Sequence, residues 1–117
     1  MVKMYGIANC DVIKKATDWL IQNHVHFEFH DYKKEGASAT KLKYWTAEIG
    51  WEKILNKRST TWRELTAAGV GEIKSTKQAI EIMTENTSVI KRPIIEFENE
   101  ILVGFNENEY IQKLITK

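Results

Sequence analysis

Hydrophobic and polar positions change their period repeatedly along the N-terminal part of the chain. Val2 to Ile7 is short, partly alternating and closes near Gly6, which predicts a first β-strand. Val12, Ile13, Ala16, Trp19 and Leu20 then recur at helical spacing, with Lys14, Lys15 and Asp18 on the other face. Asn9 or Asp11 can cap the start of that helix. From Val25 to Tyr32 the alternation returns: Val25, Phe27 and Phe29 face one way and His26, Glu28 and His30 the other, as a strand with one buried face requires. The result is a β-α-β unit. Gly36 and Ser38 interrupt the pattern, Thr40 can cap, and Leu42, Trp45 and Ile49 carry a second helix to Gly50.

From Trp51 to Val89 the pattern is helical or irregular, with Ile54-Leu55, a turn around Thr61 to Leu65 and a better helix from Ser75 through Ile80, Ile82 and Met83. Little in it favours strands. Pro93 precedes Ile94-Ile95-Glu96-Phe97, a polar Glu98-Asn99-Glu100 turn and Ile101-Leu102-Val103, which predicts a β-hairpin closed by Gly104. Asn106 can cap a last helix carrying Tyr110, Ile111, Leu114 and Ile115. The order β-α-β, helical segment, proline, β-β-α is that of a thioredoxin-like fold. It predicts one mixed four-stranded sheet with helices on both faces and an inserted helical segment over about residues 33–89, all in a single domain spanning 1–117.

Composition narrows the function classes. The chain has 117 residues, 43% of them hydrophobic, with four Trp, four Tyr and four Phe, enough to fill one core. Seventeen Lys plus Arg against sixteen Asp plus Glu leave a formal charge of +1. No global field therefore draws it to nucleic acid or anionic lipid. No apolar run reaches the ~18 residues of a membrane-spanning helix, and Met1-Val2-Lys3-Met4-Tyr5-Gly6-Ile7 is too short and too interrupted for a secretory signal. A cytoplasmic monomer is expected, with no nucleic-acid or membrane partner.

Cys10 is the single cysteine, so an internal disulfide is excluded. It falls at the strand-to-helix junction, where the positive end of the helix dipole and free backbone N–H groups favour a thiolate. Lys14, four residues on, can add positive charge to the same side of the first turn. At such a place Cys10 is either a packing residue or an activated thiol.

Several segments together carry a resemblance. Tyr5-Gly6-Ile7-Ala8-Asn9-Cys10-Asp11, Lys14-Lys15-Ala16, Leu55-Asn56-Lys57-Arg58-Ser59-Thr60-Thr61-Trp62-Arg63, Ile90-Lys91-Arg92-Pro93-Ile94 and Leu102-Val103-Gly104-Phe105 resemble the arsenate reductase-like family of ArsC, Spx and YffB proteins. The order and spacing of these pieces hold over almost the whole chain, and the YffB-type branch is more similar than true ArsC. The resemblance implies a nucleophile at Cys10 that attacks an oxyanion or a disulfide. It also implies two arginines facing the thiol, Arg58 on the inserted segment and Arg92 directly before a proline that is usually cis. A guanidinium suits that task because it stays charged and presents several donors to an oxyanion or carboxylate. Catalytic residues are thus Cys10, Arg58 and Arg92, and a substrate or glutathione site is implied at Asn9, Lys14, Arg92 and Pro93.

Departures from the family pattern refine this. True arsenate reductases carry a third arginine just after the last strand, where this chain reads Gly104-Phe105-Asn106, and Ala8 stands where a proline is often found. Spx-type regulators carry a Cys-x-x-Cys switch, which Ile13 and Ile7 preclude here. The reading is a glutathione-dependent, arsenate reductase-like thiol reductase acting through one cysteine, because a lone thiolate can form a mixed disulfide that an external thiol resolves. It implies no tightly bound cofactor, with glutathione or another small thiol as co-substrate and glutaredoxin as a further reducing partner. The alternatives are an Spx-like, non-catalytic regulator that contacts RNA polymerase, and a true arsenate reductase working with two arginines.

Other signals read as structural. His26 and His30 stand roughly 13 Å apart in a strand, too far to share a metal, so no metal site is expected, and both read as solvent-facing. Gly69-Val70-Gly71 lacks the Lys-Ser/Thr ending of a phosphate loop and reads as a turn. Trp45, Trp51 and Trp62 read as packing residues of the helical insert, since no basic stripe accompanies them.

Overall fold

Alternation along β1 (Val2–Gly6) sends Val2 and Met4 to one face of the sheet and Lys3 and Tyr5 to the other. The computed structural model describes residues 1–8 and 10–115. In it β1 runs parallel to β2 (Phe27–Asp31) and antiparallel to β3 (Ile94–Phe97), and β4 (Glu100–Val103) lies beyond β3, giving the order β2-β1-β3-β4. Val2 pairs with Phe27, Met4 with Ile95, and Ile95 with Leu102, so one apolar row crosses all four strands. The mixed four-stranded sheet expected from the periodicity is present.

Helix α1 (Asp11–Gln22) lays Ile13, Ala16, Trp19 and Leu20 on that row, and Tyr110 from the C-terminal helix completes the cluster. Burying a large apolar side chain contributes about 1.5–3 kcal/mol, more than the helix propensity of any one residue. Packing therefore decides where α1 lies. Phe27, Phe29 and Phe105 extend the cluster as half-buried members, and so does Cys10.

The opposite face is more polar. The Tyr5 hydroxyl donates to Glu96 Oε1 at 3.0 Å, and its ring stacks on His30 with centroids 4.8 Å apart. His30 Nε2 in turn lies 3.1 Å from Glu28 Oε1. His30 is thus half-buried between an aromatic ring and a carboxylate, not solvent-facing as the alternation suggested, while His24 and His26 are exposed.

The chain divides into two units, Met1–Lys34 with the chain from Arg92 onward, and Glu35–Lys91. Between β2 and the second unit runs the short α2 (Tyr32–Glu35): Tyr32 opens this helix and does not end the strand. The second unit contains α3 (Ala39–Ile49), α4 (Trp51–Ile54), α5 (Thr60–Ala67) and α6 (Thr76–Glu85), followed by a 3-10 turn at Thr87–Val89. Serines start three of these helices: Ser38, Ser59 and Ser75 accept from the N–H groups of Lys41, Trp62 and Gln78. Thr40, expected to cap α3, already lies inside it. Gly50 ends α3 at φ 89°, a conformation open to glycine.

A bridge between Leu55 and Ile90, reinforced by Asn56 N–H donating to Val89 O and Lys91 N–H to Ile54 O at 2.7 Å each, ties the chain after α4 to the C-terminal end of this unit. Trp45 and Trp62 are buried, and Trp51 carries the Lys57 ammonium 5.5 Å above its ring. The C-terminal α7 (Glu107–Tyr110) is capped by Asn106, whose Oδ1 accepts from Glu109 N–H at 3.0 Å, and widens into a π-helical turn over Ile111–Ile115.

Candidate functional site around Cys10

Cys10 is itself the N-cap of α1, with φ −119° and ψ 134°, and its carbonyl accepts from Lys14 N–H at 2.9 Å. The cap's own side chain makes no hydrogen bond to the helix. Asp11, one of the two caps expected from the sequence, is instead the first helical residue. Asn9, the other cap and a proposed substrate-binding residue, lies outside the described residues. The sulfur is therefore placed at the helix start by the packing of α1 three residues further on, where Ile13 enters the core.

Three segments converge at this end of the sheet. A Cβ added at Gly6, the last residue of β1, would stand 2.5 Å from Ile13 Cδ1 and 3.6 Å from Arg92 Cβ. The absence of a side chain at Gly6 lets the first turn of α1 and the strand entering β3 close on the end of β1. The Arg92–Pro93 peptide is cis, as the family resemblance implies. Pro93 is buried, its carbonyl accepts from Gly104 N–H at 2.8 Å, and the Gly104 carbonyl accepts from the Tyr110 hydroxyl at 2.6 Å. Arg92 and Cys10 consequently share one end of the sheet.

Beside the thiol lies an open groove of about 520 Å³ bounded by Cys10, Asp11, Ile13, Lys14, Thr17 and Phe29. Cys10, Lys14 and Thr17 line it because positions four and seven residues along a helix share a face. Thr17 is not among the residues the sequence singles out, and Phe29 stands out there only as a strand residue of the buried face. The helical spacing from Cys10 pointed to Thr17, whereas Phe29 needed the pairing of β2 to place it.

Lys14 does not stand alone at the thiol. Its ammonium is held by Asp18 Oδ2 at 2.7 Å, one turn further from the helix start. The hydrogen bond to Asp18, and then its charge, raise the Lys14 pKa above the ordinary lysine value. Arg58 belongs to the second unit, in the turn before α5, with its N–H donating to Asn56 Oδ1 at 3.0 Å and its side chain exposed.

The place of the third arginine is filled by different chemistry. Gly104 takes φ 79°, and Phe105 turns its ring edge-on to Tyr110 with centroids 5.2 Å apart, packed against the core. Gly104-Phe105-Asn106 itself supplies no cationic side chain. Among the described residues no group of three or more His, Cys, Asp and Glu side chains is arranged to hold a metal, and no helix is long and apolar enough to cross a membrane.

The ArsC family profile matches residues 5–113. The chain belongs to the ArsC family. A Haemophilus influenzae protein described as uncharacterized is 41% identical over 110 residues, covering 94% of this chain and 96% of its own. The solved structure of the YFFB protein superposes with a TM-score of 0.90 at 40% identity, covering 96% of this chain and 97% of that one. The global transcriptional regulator Spx of Streptococcus agalactiae is 32% identical over 111 residues, 93% of this chain and 80% of its own. The thioredoxin-like fold is thus shared across relatives with different printed roles, and within an ArsC framework the site must decide the chemistry.

Proposed function

We propose that this ArsC-family protein is a thiol reductase in which Cys10 exchanges disulfides with glutathione. The observation that carries the reading is the position of Cys10 at the N-cap of α1, half-exposed and opening on a groove. The first N–H groups and dipole of a helix favour an anion at its start. In the proposed reaction the Cys10 thiolate attacks the glutathione sulfur of a substrate mixed disulfide R–S–S–G, so that R–S⁻ departs. A Cys10–S bond forms, the S–S bond breaks, and the departing thiolate takes up a proton. A second glutathione thiolate then attacks the mixed disulfide, releasing oxidised glutathione and the free Cys10 thiolate.

Arg92, on the same end of the sheet, is proposed to hold a glutathione carboxylate, for which a guanidinium offers paired donors. The backbone before Pro93 is proposed to pair with glutathione, and Lys14 and Asn9 are proposed to contribute to its binding. The role of Arg58 rests on the family resemblance and is tested by Arg58→Ala turnover. A sulfur electrophile suits the site better than arsenate because Phe105 packs where a third arginine would bind the oxyanion. The proposed reaction belongs to the cytoplasm, where thiols are held reduced.

The test is turnover of bis(2-hydroxyethyl) disulfide with glutathione. Wild type is expected to turn over, Cys10→Ser to be inactive, and Arg92→Ala to show a raised KM for glutathione. Glutathione-dependent turnover by Cys10→Ser rules the mechanism out.

A second reading, a non-catalytic regulator, is favoured by the Spx relatives. It predicts that RNA polymerase is retained from lysate equally by wild type and Cys10→Ser, with no turnover by either.

A further inference from the structure

Lys14 stands four residues after Cys10 and four before Asp18, so its ammonium has two acidic partners on one face of α1, a thiol and a carboxylate. It stands 2.7 Å from Asp18 Oδ2. Lys14 and Asp11 are the charged side chains that bound the groove beside Cys10, and Asp18 is not one of its walls. The lysine of the groove is thus held from one turn beyond it.

Helix stability does not account for this pair. Lys14 is the fourth residue of Asp11–Gln22, close to the positive end of the helix dipole, where a base is disfavoured. At i,i+4 the order base before acid is also the weaker one. The two side chains are 76% and 49% exposed, so no close packing fixes either of them. The ammonium can therefore move between the carboxylate and the sulfur, and its place is set by which of the two carries more negative charge.

We infer that Asp18 is a positioning residue for the thiol chemistry: it draws the Lys14 ammonium away from Cys10 and so sets how much positive charge reaches the sulfur. The inference rests on the thiol reductase reading and deepens it. A cation at the sulfur stabilises a thiolate, which makes it a better leaving group and a weaker nucleophile. In the two-step exchange Cys10 is the nucleophile first and the leaving group second. Sharing Lys14 between carboxylate and sulfur keeps Cys10 competent in both steps.

Alkylation of Cys10 in the full chain by iodoacetate, an anion, and by iodoacetamide, which is neutral, tests this. The ratio of the two rates reads the charge at the sulfur, because thiolate fraction and exposure cancel. Asp18→Asn is expected to raise the ratio about twofold at low salt, and high salt is expected to erase the rise. Asp18→Glu, which can still hold the ammonium, is expected to stay near wild type. In a Lys14→Gln background Asp18→Asn is expected to have little effect. A ratio indifferent to Asp18→Asn overturns the inference. So does an equal rise in both backgrounds, which would mean that Asp18 acts by its own charge and not through Lys14. The ratio can be read whether or not glutathione is turned over: absent turnover strikes the reductase reading, and an unmoved ratio in an active protein strikes only the role of Asp18.

Discussion

The Tyr110 hydroxyl donates to the Gly104 carbonyl at 2.6 Å, six residues back, while the Gly104 N–H donates to the carbonyl of Pro93. One buried phenol thereby links the C-terminal helix to the strand entry that carries Arg92. The Tyr110 ring is held edge-on by Trp19 and Phe105, with centroids 5.5 and 5.2 Å away. Tyr110→Phe keeps this packing and removes only the hydrogen bond, at an expected cost of about 1 kcal/mol in urea unfolding. An unchanged midpoint would mean that the Gly104 carbonyl finds another donor.

Gly6 is the tightest point of the site. An alanine there drives its Cβ against Ile13, a buried side chain with little room to swing, and is expected to destabilise the fold by about 1–3 kcal/mol. Shortening the clashing group with Ile13→Val removes Cδ1, so the double variant is expected to be more stable than the sum of the two single changes. A double-mutant cycle by chemical denaturation measures that coupling. Strict additivity would place the cost of Gly6→Ala elsewhere.

At the other end of α1, His24 adopts φ 57° while its N–H donates to Ile21 O at 3.1 Å and Val25 N–H to Leu20 O at 2.9 Å. This is the Schellman arrangement, whose left-handed position favours glycine. His24 is exposed. His24→Gly is therefore expected to stabilise the protein by about 0.5–1 kcal/mol, seen as a rise of a few degrees in Tm. A fall in Tm would show that the greater flexibility of glycine in the unfolded chain outweighs the relieved strain.

Tyr32 and Tyr110 are pushed well above the ordinary phenol value, in both cases first by burial. Tyr5 and Glu96 add to the effect at Tyr32, and Glu109 adds to it at Tyr110. In the unfolded chain these phenols ionise near pH ~10. Above that pH the unfolded state releases protons that the native state keeps, so their contribution to stability is complete below pH ~10 and is lost as pH rises past it. Denaturation curves at increasing alkaline pH should show this slope, and Tyr110→Phe should flatten it by one proton. Phenolate absorbance from both residues appearing well before unfolding would contradict the burial argument.

Much of the sheet unit was legible in the residues. β1, α1, the hairpin at Glu98-Asn99 and the Asn106 cap follow from periodicity, turn residues and capping, all set by neighbours a few positions away. The strand-to-helix junction that exposes Cys10 was legible for the same reason. The helix starts were less so: Ser38 and Cys10 hold the cap positions for which Thr40, Asn9 and Asp11 have the right side chains, because several residues in a row can cap and packing chose among them. Lys14 illustrates the limit within one helix, since Asp18 and the thiol both lie four residues away and local spacing could not choose between them.

The amino-acid order alone determined the succession of elements and the isolation of one sulfur at a helix start, since both depend on local backbone preference. The folded chain decided the rest. Tyr5 meets Glu96 at a sequence separation of 91, Tyr110 reaches back to the turn beyond β4, and His30 leaves solvent only when β2 lies beside β1. Pairs so far apart along the chain carry no periodic signal, and their meeting is set by which apolar rows the sheet and α1 bury together.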